Sequence, residues 1–375
     1  MRGPIDYSDV IWMPKIKFLL LMVTFVIFSL TNGSSTVLAD ARADAENAIN
    51  VAHATIIECY GAAAKAQEAG ANITNLLGEL NKAGEIYSKA VLAYRSGDYD
   101  LAIDLAGECR GMLENFVGRA NDLREEAAER SRWDFMVNFV GSIVGSVSII
   151  AVSFSIWTLF KRKRIFRGRK IKIEDYRAIF LIVTFIIALI VASPALSRVL
   201  VYPRTEFFTE LWILDSNHRA ENYPFNITRN QNYTIYLGIG NHLGSCSYYV
   251  IEVKFKNQSQ RSPSSFGPIE NRTPSPLKSL YNISAFVADE QILELPLTFS
   301  FDYTYNENLS RVDFKSLKLN GVTLDLSGYV AEWNATRRGC YGFLFFELWL
   351  YNNVDSSFKY HGRFVGLWLN MTIFS

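Results

Sequence analysis

An excess of charge of either sign is missing from this chain. Its 375 residues carry 38 Lys and Arg against 37 Asp and Glu, which gives a formal net charge of +1. A protein that holds nucleic acid through bulk charge needs a strongly basic surface, so we expect no nucleic-acid partner. With 49% hydrophobic residues the chain is too apolar to stay disordered. We therefore expect about two or three folded domains for this length.

Motifs for catalysis and metal binding are missing too. The chain has four histidines and four cysteines, and none falls in an HExxH, His-x-His or Cys-x-x-Cys pattern. Neither a GxSxG turn nor a GxxxxGK[ST] phosphate loop occurs. His218 and His242 each lie near a turn with acidic neighbours and could meet in space, but exposed turn histidines are far commoner than metal ligands. We predict no catalytic residues, no cofactor and no metal, and hence no enzyme.

Cysteine is scarce, and its four positions fall in two segments. Cys59 and Cys109 lie in the first, and Cys246 and Cys340 in the second. This distribution is typical of segments exposed to an oxidising compartment. Cys59 and Cys109 fall at mid-height on two parallel helices, which favours a disulfide bond, with two reduced core thiols as the open alternative. A Cys246–Cys340 bond between sheets or loops is the second prediction.

Charge is absent altogether from two long runs, residues 135–160 and 178–197. Each is long enough to cross a hydrocarbon core of about 30 Å as a helix. The loop between them, residues 161–177, holds nine basic and two acidic side chains. Such short basic loops stay cytoplasmic. Anionic lipid head groups are an alternative role for the loop, but topology alone explains it. The chain is predicted to cross the lipid bilayer twice, with residues 40–132 and 203–375 outside the cytoplasm.

The first 39 residues resemble a secretion signal. Lys15 and Lys17 precede an apolar run at 18–30, and a small, polar stretch ends in Val37-Leu38-Ala39. We expect residues 1–39 to be a signal peptide, or an uncleaved signal anchor with the same orientation. Either form predicts a multi-pass protein of the cell membrane with both large domains extracytoplasmic.

Residues 40–132 show apolar stripes at spacings of three and four. They predict three helices, at about 40–69, 72–95 and from 99 onward, with Ser96-Gly97-Asp98 as a break. Alanine fills many stripe positions, so the core of this helical domain is expected to be thin. The third helix is expected to continue toward the first span, where Gly141 and Gly145 form a packing face. That face fits the second span or another chain, and internal pairing is the more economical interpretation.

After Pro203 the apolar period changes to two, as in "NYTIYLGI" and "YYVIEVKFK". About eight strands with almost no helical stretch predict an antiparallel, immunoglobulin-like β-sandwich over residues 203–375. Gly238-x-Gly240 is no phosphate loop, because a strand rather than a helix follows it. We assign these glycines to a hairpin.

Aromatic side chains are abundant in the same domain. We interpret most of them as sandwich core, where each buries a large apolar area. A platform that binds sugar or peptide is the alternative. The residues concerned are Trp212, Tyr233, Tyr236, Tyr248, Tyr249, Trp333, Trp349, Tyr351 and Trp368.

Asn-x-Ser/Thr triplets occur about three times more often after residue 198 than chance predicts from the Asn, Ser and Thr content. We interpret most of them as glycan acceptors on a translocated surface. The candidates are Asn72, Asn226, Asn232, Asn257, Asn271, Asn282, Asn308, Asn334 and Asn370.

Several blocks of the second half carry a family resemblance. "FTELWILDSNHRAENYPFNIT", "YTIYLGIGNH", "FELWLYN" and "YHGRFVGLWLNMT" resemble the archaeal membrane proteins grouped as domain of unknown function 1616, over roughly residues 176–375. The resemblance implies a membrane-anchored outer β domain and no assigned activity. Members of that family usually have more spans before the β domain. A helical domain and one span take that place here.

These features together favour a membrane-anchored cell-surface protein. The only substantial cytoplasmic segment is the basic loop, which leaves no room for an output domain. We therefore expect a module that organises the envelope or binds a ligand or protein partner. The alternative is an accessory subunit of a membrane transport or signalling complex.

Overall fold

The computed structural model describes residues 12–163, 177–200, 206–264, 268 and 271–373. In these ranges the first half of the chain is helical. The helices are α1 (Trp12–Glu68), α2 (Thr74–Ser96), α3 (Tyr99–Met112), α4 (Phe116–Asp134), α5 (Gly141–Lys163) and α6 (Arg177–Val199). Residues 12–39 of the expected signal segment belong to α1, whereas residues 1–11, and residues 164–176 of the basic loop, lie outside the described ranges. Whether the signal segment is cleaved stays a prediction.

The break at Ser96-Gly97-Asp98 ends one helix and starts the next. Gly97 takes the left-handed conformation (φ 82°) that suits glycine after a helix. The Asp98 side chain accepts a hydrogen bond of 3.2 Å from the Leu101 amide and so caps α3. A further break, unforeseen from the sequence, separates α3 from α4 at Asn115 (φ 57°).

Helix α4 continues through a π-helical turn, Phe135–Val140, into α5. The π-helical turn together with α5 holds the first long apolar run, and α6 holds the second; both runs have the length and composition of membrane spans. They pack on each other where small residues allow close approach. The Ser146 hydroxyl donates to the Ala188 carbonyl (3.1 Å), and a Cβ at Gly145 would lie 3.1 Å from Val191. The small-residue face therefore pairs with the second span, as expected.

The second half of the chain is almost entirely strand. The strands are β1 (Phe208–Leu214), β2 (Asn226–Ile227), β3 (Tyr233–His242), β4 (Ser247–Lys256), β5 (Tyr281–Val287), β6 (Gln291–Asn306), β7 (Arg311–Leu319), β8 (Val322–Asp325), β9 (Val330–Asn334), β10 (Gly339–Asn352) and β11 (Ser357–Met371). They hydrogen-bond in the order β1-β3-β6-β7-β9-β10-β11-β2, with β4 and β5 continuing from β10 and β8 from β7. The pairs are antiparallel apart from β2 with β11.

The expectation of an immunoglobulin-like sandwich is not confirmed. Strand β9 pairs with both β7 and β10, so the strands form one continuous sheet that curls around its core. The inner face is rich in aromatic rings, and Phe255 packs 4.8 Å from Phe314 and 5.2 Å from Phe301 between ring centroids. A five-residue strand with two partners leaves no distinct sequence pattern, which is why periodicity alone suggested two separate sheets.

The helical part does not stand apart from the sheet. Tyr60 on α1 and Tyr248, Phe286 and Tyr351 on the sheet belong to one buried cluster. The Tyr60 hydroxyl donates to the Cys246 carbonyl (3.0 Å). The Asn81 side chain on α2 both donates to the Phe286 carbonyl (3.0 Å) and accepts from the Phe286 amide (2.8 Å). Asn81 thus satisfies the free edge of β5 as a neighbouring strand would.

Candidate functional site

The histidines singled out from the sequence do not come together. His218 stacks on Tyr236 and lies 2.8 Å from Glu294 through Nδ1. His242 lies 3.0 Å from Glu290, further along the same strands. Within the described ranges, no three His, Cys, Asp or Glu side chains are grouped so as to hold a metal ion.

The two glycines of the Gly-x-Gly pattern lie inside strand β3, where they seat side chains of β1. A Cβ at Gly238 would collide with the indole of Trp212. A Cβ at Gly240 would lie 2.7 Å from the Glu210 carboxylate. The turn between β3 and β4 holds Gly244 (φ 83°). The assignment of the glycines to a hairpin is wrong, because β3 pairs with β1 and β6, whereas β4 pairs with β5 and β10. Gly238 and Gly240 instead leave room for side chains of the neighbouring strand.

All four cysteines are buried free thiols. The predicted Cys246–Cys340 bond is wrong. Tyr249 follows Cys246 by three residues and pairs with Leu350. Leu350 in turn lies ten residues along β10 from Cys340. Ten strand residues span roughly 33 Å, far beyond disulfide reach. Cys59 and Cys109 share the helical core, where burial raises the pKa of Cys109 to about 12 and of Cys59 to about 11. For this pair the structure has the alternative of two reduced core thiols.

The glycan candidates differ in exposure. Asn72, Asn226, Asn232, Asn271 and Asn308 are exposed, whereas Asn257, Asn282, Asn334 and Asn370 are half-buried. Six of the nine lie at one end of the curled sheet, where β3, β7 and β10 begin and β4, β6, β9 and β11 end. These six are Asn226, Asn232, Asn257, Asn308, Asn334 and Asn370.

The nine aromatic residues of the sheet differ in burial, so some fit the core interpretation and others the platform interpretation. Tyr248, Tyr249 and Tyr351 are buried in cores, as expected. Trp333 and Trp368 are exposed by 41% and 37%. Trp349 lies between these extremes, on the wall of a cleft between the helices and the sheet.

This interface cleft brings together aromatic, charged and polar side chains, and we treat it as the candidate functional site. It has a volume of about 380 Å³, within the range of small-molecule sites. Helices α1 and α2 form one wall, and strands β4, β5, β10 and β11 form the floor and the other wall. Its lining residues are His53, Tyr87, Ser88, Val91, Arg95, Tyr248, Val250, Glu252, Asn282, Ser284, Trp349 and Phe358.

The strand register explains the floor of the cleft. Side chains alternate along β4, so Val250 and Glu252 point away from the core that holds Tyr249 and Ile251. Val250 pairs with Trp349 on one side and with Ser284 on the other. The helices cover the outer face of the sheet above this row, beside Tyr248. The cleft is the gap that remains below them.

A buried charge network borders the floor. The Lys254 ammonium lies 2.9 Å from Glu252 and 2.7 Å from Glu347, and these three side chains are 3%, 22% and 0% exposed. Glu347 also accepts from the Ser275 amide (2.7 Å), which anchors the loop after β4. Burial raises the pKa of Glu347, and the hydrogen bonds from Lys254 and Ser275 oppose that shift. Two carboxylates on one lysine could suggest acid–base catalysis, but Glu347 is closed to any substrate.

The helical wall supplies an aromatic ring, an imidazole and a cation. His53 stacks on Tyr87 with ring centroids 5.6 Å apart. Burial lowers the pKa of His53, so the imidazole is neutral at pH 7, and burial raises the pKa of Tyr87 to about 12. Arg95 is exposed at the mouth. Across the floor, the Trp349 indole nitrogen is buried and has no hydrogen-bond partner among the described residues.

Sequence reasoning missed this site. Tyr87 lies on the apolar stripe of a helix and Glu252 on the polar face of a strand, and neither pattern indicates a binding site. Tyr248 and Trp349 carried a weak signal, as two of the nine aromatics in the platform interpretation. The site forms where the helices pack against the sheet, and no local sequence pattern predicts that contact.

Comparison with known protein families gives a match over part of the chain. Residues 203–314 match the family model described as domain of unknown function (DUF1616). The match includes the "AENYP" block and strands β1 to β6, but ends before "GRFVGLWLN". No curated protein matches the chain.

Some solved structures match at low similarity. A β-glucosidase from Listeria innocua in complex with glucose is 9% identical at a TM-score of 0.23, with 45% of this chain and 17% of that chain covered. The same enzyme in a structure named without a ligand is 11% identical at 0.22, with the same coverage. The chain thus spans under a fifth of those enzymes. The similarity to the DUF1616 family covers residues 203–314, which is less than half of the chain.

Proposed function

We propose that the chain is a membrane-anchored, cell-surface binding module whose ligand occupies the interface cleft. In this proposal α5 and α6 cross the bilayer, and the helical part and the curled sheet both lie outside the cytoplasm. The observation that carries it is the cleft itself, which needs residues from both outer parts. Aromatic walls with a few polar groups at a junction between folded units are typical of small-molecule sites.

The membrane side of the proposal is supported by side chains that face outward on the two helices. Large apolar residues such as Phe154, Phe185 and Ile190 are exposed by 69%, 63% and 66%. Surfaces of this kind are stable against lipid chains and unfavourable in water. The basic loop between the helices supports a cytoplasmic position for that loop.

Glycopeptide mass spectrometry of purified membranes tests the orientation. We expect glycan mass at the exposed candidates, Asn72, Asn226, Asn232, Asn271 and Asn308. Asn370 should stay unmodified, because it is half-buried and its amide donates to the Asn226 side chain (2.9 Å). Labelling of lysines in residues 206–373 by a membrane-impermeant reagent only after lysis would contradict the orientation.

A cleft-filling variant tests the binding role. Val91 lines the cleft, so Val91→Trp should occupy it, whereas Val51 is exposed by 39% on α1 and offers a matched Val51→Trp control. An envelope extract should raise the midpoint of thermal unfolding of the wild type and the control but not of Val91→Trp. Equal shifts in all three proteins would contradict a site in the cleft. A membrane protein that co-purifies at equal stoichiometry would instead favour an accessory subunit.

A further inference from the structure

The interface cleft has features that narrow the chemistry of its ligand, and this inference rests on the proposed function. Its volume of about 380 Å³ is near the lower end for small-molecule sites. A site of this size holds one or two small rings rather than a length of polymer. The ligand is therefore a small molecule or the terminal unit of a larger one.

Flat apolar surfaces face each other across the cleft. Tyr87, backed by His53, lies on the helical wall, and Trp349 and Phe358 lie on the sheet wall. Tyr360 packs against Trp349 at 5.7 Å between ring centroids and holds the indole in place. Rigid aromatic faces of this kind bury the flat side of a ring at little cost in conformational entropy.

Polar groups of both kinds remain open among these rings. The Trp349 indole nitrogen is itself buried, so the polar groups open to a ligand belong to Glu252 and Asn282. Glu252 uses one carboxylate oxygen for Lys254, and Asn282 uses its amide oxygen for the Ser279 hydroxyl, so each keeps capacity for a further bond. A purely aromatic ligand would bury these groups without partners, at a cost for each. A ring that carries several hydroxyl groups can both donate and accept here.

The charges around the cleft cancel. Glu252 and Glu347 contribute two negative charges, and Lys254 and Arg95 two positive ones. The sum of these charges is zero, so the cleft as a whole favours a neutral ligand over a strongly acidic or strongly basic one. Arg95 can donate to hydroxyl oxygens at the mouth. We propose that the interface cleft binds one neutral sugar ring, stacked between Tyr87 and Trp349 and hydrogen-bonded by Glu252 and Asn282.

That sugar ring has two sources. It can come from an envelope glycan or free sugar, or it can be joined to Asn282, since Asn282-x-Ser284 is itself a glycan acceptor pattern in the cleft wall. Protein made in a host without N-glycosylation separates them. Sugar binding in solution by that protein identifies an external ligand. Glycan mass at Asn282 of membrane-derived protein, with a cleft closed to added sugar, identifies the attached source.

Saturation-transfer NMR and titration calorimetry on the full chain in detergent test the proposal. The probes are glucose, galactose, mannose and N-acetylglucosamine, with glucuronate, glucosamine and benzoate as charged or aromatic comparisons. We expect at least one neutral sugar to bind with a dissociation constant of about 1 mM or lower. Trp349→Leu keeps an apolar side chain but removes the flat ring on which the sugar stacks, and should weaken binding about 10-fold. The matched control Trp368→Leu, at an exposed tryptophan outside the cleft, should leave binding unchanged.

Three results would overturn the sugar assignment. They are tighter binding of a charged sugar or benzoate than of every neutral sugar, binding that survives Trp349→Leu unaltered, and no neutral sugar bound or attached at Asn282. The failure of the proposed function looks different. If the envelope extract still stabilises the wild type but not Val91→Trp, the cleft remains a binding site for another ligand.

Discussion

The two outer parts of the chain fill their cores in different ways. Alanine is the residue that the helical part buries most often, whereas the sheet buries chiefly phenylalanine, isoleucine and leucine. Alanine lets helices approach closely, but removes little apolar surface from water. Three of the five buried large rings of this cluster, Tyr248, Phe286 and Tyr351, come from the sheet, and Tyr60 and Phe116 come from the helices. We infer that the sheet is stable by its own core and that the helical part depends on docking against it.

The largest effect should come from the sheet core. Phe301 is fully buried, so Phe301→Ala should lower the free energy of unfolding by about 3–5 kcal/mol through the lost burial and the cavity left behind. Phe225 is exposed by 49%, and Phe225→Ala is the matched control with an effect of about 0.5 kcal/mol or less. Urea unfolding followed by tryptophan fluorescence measures both. Equal losses would mean that Phe301 is not part of a tightly packed core.

A second large effect should come from the charge network on the outer face of the sheet. Glu347→Gln leaves the Lys254 charge with only the half-buried Glu252 as ion partner, and should cost about 3 kcal/mol. Glu252→Gln removes the more exposed partner of the same lysine, and should cost about 1 kcal/mol or less. Unfolding midpoints of the two variants give the comparison. A larger loss for Glu252→Gln would place the main stabilising ion pair at the cleft rather than beneath the loop.

Local structure was predictable where one residue type has one physical role. Gly97 and Asp98 mark a helix end and start because glycine tolerates positive φ and aspartate caps a helix. The two long uncharged runs likewise predicted two apolar helices, because the length and the missing charge of a run directly favour such a helix. The alternation in "YYVIEVKFK" separated inward Tyr249 and Ile251 from outward Glu252 and Lys254 correctly.

Long-range structure was not predictable in this way. The sequence contains nothing local that makes β9 pair on both edges, that sets Cys246 far from Cys340, or that directs Asn81 to the edge of β5. Each depends on register between distant segments, and single-residue shifts in register change every neighbour. The interface cleft depends on the same contacts, so its residues were assigned to a helix stripe and a strand face.

Acid should weaken the seam where β1 meets β11. The His361 imidazole lies 2.9 Å from the Thr209 hydroxyl, and burial, with the Arg363 charge nearby, lowers the pKa of His361 to about 4. The unfolded chain binds this proton with a pKa of about 6.5. Between pH 6.5 and 4 the unfolded state therefore holds more protons, and stability falls as pH falls, by about 2–3 kcal/mol in all. His361→Gln should flatten this part of the pH profile. An unchanged slope in His361→Gln would assign the acid sensitivity to other groups.

The smallest effect is expected at the contact between the helical part and the sheet. It tests most directly whether the helical part depends on docking against the sheet. Asn81→Ala removes both hydrogen bonds to Phe286 and should cost about 1–2 kcal/mol. Asn75→Ala, at an exposed position one turn and a half earlier on α2, is the matched control. Since the sheet keeps its own core, amide exchange should accelerate in α2 and β5 and stay slow in β6 and β10. If exchange instead rose equally in all four elements, helices and sheet would unfold as a single unit, and the alanine-rich part would not be the weaker one.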